Sequence, residues 1–305
     1  MRHLIDLSDW PSEDIRHLLK LGSELKHQQQ NGGNLPILRG KTLALVFQKP
    51  SLRTRVSFEV GMAQLGGCAV MLGPDEVRLG KRESVADVAR SLSRLVDGIM
   101  ARVFAHSDVI ELAQYATVPV INGLSDTQHP CQALADALTI HEHLGGVQGR
   151  RIAYVGDGNN VAVSLGQVVA HLGGHFAIGT PPGYEISEED LAVIGEIAAR
   201  HGSQIELYHN PVDAVRGADV VYTDTWVSMG QEAETARRLE VMAPFQVNRE
   251  LMEHASPNAI VMHCLPAHRG QEITDEVAEG PRSVIFDQVE NRLHMQKAVL
   301  VKLMS

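Results

Sequence analysis

Short apolar runs recur along the chain, bounded by polar or glycine-bearing turns, with helical patterns between them. Nine runs predict strands: "KTLALVF", "CAVML", "GIMARVF", "VPVIN", "RRIAYVGD", "HFAIGTP", "IELYH", "DVVYTDTW" and "AIVMHCLP". The intervening "ESVADVARSLSRLVDG" places Val85, Val88, Ala89, Leu92, Leu95 and Val96 on one helical face. Alternation of strand and helix predicts an α/β architecture with parallel sheets. The polar "HLGGVQGRR", His143 to Arg151, predicts a domain boundary, giving domains at 1–145 and 146–288. Ligands of such sheets bind beyond the carboxyl ends of the strands, so the residues that follow each strand matter most.

Composition narrows the picture. A chain of 305 residues suits two domains of the usual ~100–200 residues, and 44% hydrophobic content suffices for two cores. A net charge of −10 argues against nucleic acid as a partner and makes any positive cluster a local feature. Cys68, Cys131 and Cys264 are far apart and form no CxxC pair, which predicts a reducing compartment. The opening "MRHLIDLSDWPSEDI" has no leader character, and no apolar run reaches membrane-spanning length. A cytoplasmic protein without membrane contact is expected.

The candidate chemistry lies at strand ends. After "KTLALVF" comes "QKPSLRTRVSFE", where Ser51 is placed to cap a helix with Val56, Val60 and Ala63 on its apolar face. A helix N-terminus, the Arg53 fork and the Ser51 and Thr54 hydroxyls together suit a phosphate. No Walker pattern accompanies them. Arg102 and His106 follow "GIMARVF". His129, Pro130 and Gln132 open another helix, with the histidine and glutamine close on its first turn. "GDGNN" has Gly156 and Gly158 in dinucleotide spacing, but Val161 occupies the third glycine position and the next strand lacks a ribose-binding acid. A dehydrogenase is therefore disfavoured. Asn159 and Asn160 remain, suited to an amino-acid head group. Asp224, with Trp226 and Ser228-Met229-Gly230 after it, and His263-Cys264 stand at two further strand ends. On its own residues Cys264 could be a thiol nucleophile, but no helix N-terminus follows it directly, and base rates favour a buried structural cysteine.

Taken together, "SLRTR", "ARVFAH", "HPCQ", "GDGNN", "DTWVSMGQE", "HCLPAHRG" and "ENR", in this order, closely resemble the ornithine carbamoyltransferases from end to end. The resemblance implies two domains, each a mostly parallel sheet flanked by helices, with a C-terminal helix (289–305) returning to the first. It implies a carbamoyl-phosphate-binding domain followed by an ornithine-binding domain. It implies formation of L-citrulline and phosphate from carbamoyl phosphate and L-ornithine, without metal or organic cofactor, in a homotrimer that in some members assembles further.

Residue by residue, Ser51, Leu52, Arg53 and Thr54 match the phosphate motif, with Leu52 replacing a usual threonine. Arg102, His129 and Gln132 match carbamoyl-group ligands. Asn160, Asp224, Ser228 and Met229 match ornithine ligands. Cys264 with Leu265, and Arg292 of "ENR", match the remaining carbamoyl phosphate positions. Arg78 aligns with a position contributed across the trimer interface. The resemblance gives Arg102, His129, Asp224 and Cys264 the catalytic roles, and leaves open whether Asp224 or Cys264 takes the amine proton. A sister carbamoyltransferase acting on aspartate, putrescine or an acylated ornithine is the nearest rival; "DTWVSMG" and "HCLPAHRG" favour free ornithine.

Overall fold

A computed structural model of the protein describes residues 2–228, 230 and 232–305. The nine apolar runs all form strands, in two all-parallel sheets. Two compact units divide the chain, Met1–Leu138 with Glu290–Ser305, and Thr139–Val289. Among the described residues, no helix is long and apolar enough to cross a membrane.

In the first unit the elements are α1 (Ser12–Gln30), β1 (Thr42–Phe47), α2 (Leu52–Gln64), β2 (Cys68–Leu72), α3 (Pro74–Val77), α4 (Val85–Leu92), β3 (Gly98–Arg102), α5 (His106–Tyr115), β4 (Val120–Leu124) and the first part of α6 (Pro130–Leu144), which passes into the second unit after Leu138. The sheet order is β2-β1-β3-β4. Strands β1 and β3 are almost wholly buried, as parallel strands covered on both faces must be. The chain leaves β1 toward β2 on one side and returns to β3 on the other, so the order reverses between β1 and β3. Phe47 and Arg102 pair at the carboxyl ends of these two strands.

The second unit contains β5 (Arg151–Val155), α7 (Asn160–His171), β6 (His175–Gly179), α8 (Glu188–His201), β7 (Ile205–Tyr208), α9 (Pro211–Val215), β8 (Val220–Thr223), α10 (Thr235–Met242), α11 (Arg249–Met252), β9 (Ile260–His263) and α12 (Asp275–Ala278). Its sheet order is β7-β6-β5-β8-β9, with the reversal between β5 and β8. Val155 pairs with Thr223, and Thr223 pairs with His263, so three strand ends lie side by side. The last helix, α13 (Ile285–Met304), carries the chain back to the first unit, where Glu290–Ser305 belongs.

Two helical expectations are corrected. Helix α2 buries Thr54, Ser57, Phe58, Gly61 and Met62, while Val56 is exposed. The face is chosen by α13: a β-carbon on Gly61 would lie 3.3 Å from Lys297 and 3.7 Å from Leu300, so a small residue lets the helices meet. Gly22 of α1 faces Met295 in the same way. The second correction concerns α4, which ends at Leu92 and leaves Leu95 77% exposed. There Ser93 Oγ donates to the Ala89 carbonyl at 2.7 Å and accepts the Thr117 N–H at 2.9 Å. A hydroxyl that competes for helix carbonyls favours ending the helix at that point.

Candidate active site

The first unit gathers cations at its reversal point. Ser51 caps α2, its Oγ accepting the Thr54 N–H at 3.4 Å. The loop is held to the neighbouring strand end, with the Gln48 N–H donating to the Arg102 carbonyl at 2.8 Å. Gln48 also accepts the Phe104 N–H at 2.7 Å through Oε1 and donates to Asp108 at 3.0 Å through Nε2. Arg102 is buried at the end of β3. His129 and Gln132 are buried at the start of α6, which begins at Pro130.

Arg292, from α13, reaches the same place. Its guanidinium donates to Gln132 Oε1 at 2.8 Å and to Thr54 Oγ1 at 2.9 Å. Gln132 passes the polarisation on, donating from Nε2 to Asp136 Oδ1 at 2.8 Å. Burial, followed by the charges of Arg292, Arg102, Arg53 and Lys49, pushes the His129 imidazole well below its ordinary range. At neutral pH this histidine is an uncharged hydrogen-bonding group inside a ring of cations. Such an assembly is costly without an anion and well suited to receiving one.

Lys49 was not singled out from the sequence, although it sits two positions before Ser51. It is buried, with its ammonium 4.7 Å from the centroid of the Phe104 ring. Burial, then the Arg102 charge, lowers its pKa, and Asp126 opposes them. Leu52 points to solvent, with 74% exposure, so the departure from threonine falls on an outward position. Arg78 is exposed, has φ +44°, and lines a cavity of about 360 Å³ together with Phe47, Gln48, Lys81 and Phe104.

The second unit gathers a different chemistry at its own reversal point. After β5 the chain turns through Gly156 at φ +136° and Gly158, whose missing side chain admits the backbone of Tyr184 and Ile186. Asn159 then caps α7, and Asn160 is the helix's first residue. Asp224, buried at the end of β8, accepts the Asn159 Nδ2–H at 2.8 Å and the Cys264 S–H at 2.8 Å, one on each carboxylate oxygen. Ser228 is half-buried in the segment that follows, and Met229 lies outside the described residues.

Two buried acids support this site. Arg238, on α10, donates to Asp157 Oδ2 at 2.8 Å and to the Trp226 carbonyl at 3.1 Å, and its guanidinium lies 5.0 Å from the Tyr184 ring. It thereby holds the "GDGNN" turn against the segment after Asp224. Burial raises the Asp157 carboxyl, the Arg238 charge opposes this, and Asp224 and Glu234 add to the rise. Glu272 is fully buried and accepts from His263 Nε2 at 3.2 Å. His263 Nδ1 in turn accepts the Leu265 N–H at 2.8 Å, which sets the turn after Cys264, where Leu265 has φ +56°. Asp224, His263 and Cys264 place ligand-type atoms within 4.8 Å of one another. Both His263 ring nitrogens are already engaged, so the trio fits a hydrogen-bonded pocket better than a metal centre.

Comparison with known proteins adds to this geometry. Residues 2–142 match the family model described as aspartate/ornithine carbamoyltransferase, carbamoyl-P binding domain. Residues 148–303 match the Asp/Orn binding domain of the same family. The chain is 54% identical over 303 residues to a Thermococcus kodakarensis protein named ornithine carbamoyltransferase, covering 99% of this chain and 96% of the relative. It is 55% identical over 304 residues to one from Methanothermobacter thermautotrophicus, covering 100% and 99%. The solved ornithine carbamoyltransferase of Pyrococcus furiosus superposes with a TM-score of 0.97 at 54% identity, covering 99% of this chain and 97% of that one. The Thermus thermophilus structure gives 0.89 at 46% identity, covering 99% of each.

Proposed function

The chain belongs to the aspartate/ornithine carbamoyltransferase family, and on that premise we propose that it transfers the carbamoyl group of carbamoyl phosphate to the δ-amine of L-ornithine, giving L-citrulline and phosphate. The observation that carries this reading is the pairing of site chemistry with topology. Each sheet puts a reactive cluster at its own reversal point. One cluster is cationic, around Arg53, Arg102, His129 and Arg292; the other, around Asn160 and Asp224, is built of amides, a carboxylate and a thiol.

In this reading residues 1–145, with 289–305, hold carbamoyl phosphate, and 146–288 hold ornithine. Ser51, the backbone of Leu52, Arg53, Thr54 and Arg78 take the phosphate. Arg102, His129 and Gln132 take the carbamoyl group, with Arg292, Cys264 and Leu265 assigned to the same ligand. Asn160, Asp224, Ser228 and Met229 take the α-carboxylate and α-ammonium of ornithine.

The δ-amine attacks the carbonyl carbon, negative charge builds on the carbonyl oxygen, and the C–O bond to phosphate breaks. Arg102 and the neutral His129 stabilise that oxygen as charge develops. Arg53 and the α2 N-terminus stabilise the departing phosphate. An alkylammonium has an ordinary pKa of about 10.4, so the amine must lose a proton before it attacks. The Asp224–Cys264 pair is the assigned acceptor. Amine and leaving phosphate balance the reaction, which needs neither a metal nor an organic cofactor.

Free ornithine is the preferred acceptor because an α-carboxylate and an α-ammonium together satisfy the polar groups of the second cluster. Putrescine, which lacks the carboxylate, leaves buried donors without partners, and such sites reject analogues strongly. The test is carbamoylated product formed from carbamoyl phosphate with ornithine, putrescine, aspartate and N-acetylornithine at one pH. A preference for another amine removes the ornithine assignment; no product with any amine removes the whole reading.

The assembly proposed is a homotrimer, with Arg78 serving a neighbour's phosphate. Mixing Arg53→Ala and Arg78→Ala chains under subunit exchange restores activity if Arg78 crosses the interface, and verified mixed trimers without recovery refute it. The three cysteines, none in a disulfide, suit the reducing cytoplasm.

A further inference from the structure

We propose that Asn159 is a positioning residue for Asp224: its side-chain oxygen closes the N-terminus of α7 while its nitrogen orients the carboxylate of the ornithine pocket. The inference rests on the ornithine reading above and adds a residue to which that reading gives no role.

The amide can sit in only one way. Its Oδ1 receives the Val161 N–H at 3.0 Å, the Ala162 N–H at 3.2 Å and the Tyr154 hydroxyl at 3.1 Å. Backbone N–H groups only donate, so an oxygen must face them, and the NH₂ is left facing Asp224 Oδ2 at 2.8 Å. The other carboxylate oxygen, Oδ1, is taken by the Cys264 thiol at 2.8 Å. One fixed donor on each oxygen pins the plane of the carboxylate. Each oxygen keeps a lone pair for a substrate ammonium. Because Asn160 follows directly in the first turn of α7, the same cap also sets the first residue of the ornithine set.

Charged and titratable neighbours of Asp224 come from several elements: Tyr154 on β5, Asp157 after it with its partner Arg238 on α10, His263 at the end of β9 with its ring nitrogens engaged by Glu272 and the Leu265 N–H, and Cys264 after it. The arrangement is therefore an acid held by neutral donors, with the Arg238 cation spent on Asp157. A neutral amide at 159 orients Asp224 without neutralising it, which leaves the charge for the substrate.

Two substitutions separate the capping role from the positioning role. Asn159→Ser keeps a capping oxygen but is too short to reach Asp224. Asn159→Asp also caps, but sets a second carboxylate against Asp224. Both variants are expected to retain the wild-type melting temperature within a few degrees and the wild-type KM for carbamoyl phosphate within about twofold. In Asn159→Ser, kcat/KM for ornithine is expected to fall at least tenfold. In Asn159→Asp the acidic limb of kcat/KM for ornithine against pH should move to higher pH, since adjacent carboxylates share a proton. A readout independent of turnover is alkylation of Cys264 against pH, located by mass spectrometry, which should need higher pH in Asn159→Asp.

Folded variants with unchanged ornithine kcat/KM, unchanged pH profile and unchanged Cys264 alkylation would reduce Asn159 to a helix cap. If the wild type makes no citrulline, the substrate assignment fails alone, and the alkylation profile still decides the coupling of Asn159 to the Asp224–Cys264 pair.

Discussion

Arg292 donates to Thr54 Oγ1 at 2.9 Å across 238 positions of sequence, joining the last helix to the first strand–helix turn. The same guanidinium holds Gln132, so one side chain aligns two motifs that the chain supplies separately. Lysine offers a point charge and cannot present two donors in a fixed fork. Arg292→Lys is expected to lose one of these charge-assisted bonds, about 1.5–3 kcal/mol, or roughly 10–150-fold in kcat/KM for carbamoyl phosphate. Steady-state kinetics with the second substrate saturating checks this; a loss under threefold would make the fork dispensable.

Arg102 acts nearer the bond that breaks. It is buried at the end of β3, opposite Phe47 in the register, on a different strand end from the Ser51-capped helix. Arg102→Leu is expected to lower kcat by about 100–1000-fold, the loss typical of a removed oxyanion donor, or about 2.7–4 kcal/mol. Phosphate binding, measured by calorimetry, should change far less. A variant with near-normal kcat would remove Arg102 from the mechanism.

Arg238 and Asp157 form a buried ion pair whose side chains are 8% and 10% exposed. Removing the cation leaves a carboxylate stranded in the interior. Arg238→Gln is expected to destabilise the protein by about 3–5 kcal/mol and to raise the ornithine KM, since the Trp226 carbonyl is released as well. Burial raises the Asp157 pKa, so the folded variant takes up a proton before the unfolded chain does as pH falls. The destabilisation should therefore shrink as pH falls from neutral toward the ordinary carboxylate range, as urea unfolding would show. A constant difference across that range would place the loss elsewhere than on Asp157.

Lys297 is fully buried on α13, donating to Asn34 Oδ1 at 2.6 Å and to Gln64 Oε1 at 2.9 Å. Burial lowers its pKa to about 8, with Glu290 opposing. Between about pH 8 and its unfolded value, the unfolded chain holds the proton and the folded chain does not. Stability from this group therefore rises with pH across that window, by at most about 1.4 kcal/mol per pH unit. Unfolding measured at pH 7.5, 9 and 10 should show this slope in the wild type and lose it in Lys297→Met. His294, lowered to about 4 by burial and then by the Lys297 charge, adds a second rise from about pH 4 to its ordinary value.

The strands were legible in the chain because a parallel strand covered on both faces must be a short, nearly continuous apolar run, and such runs are local. The Ser51 cap was legible for the same reason: its acceptor and donor lie three positions apart. Motif order also disclosed the family resemblance, since each motif is a contiguous stretch of sequence, most of them at strand ends or helix starts. Long-range packing decided the rest. Which face of α2 is buried depends on Gly61 meeting α13, a contact with no local trace, and so Val56, inward by its spacing, lies exposed. Strand order put the first cluster at the β1–β3 reversal and the second at the β5–β8 reversal, although the residues of each cluster are dispersed along the chain. The depressed His129 reflects burial and then cations from three separate segments, and the pinned Asp224 needs Asn159 and Cys264 from either side of it in sequence. Charge and hydrogen bonding act through space over a few ångströms, so the residues that tune this site could be identified only once the fold had placed them together.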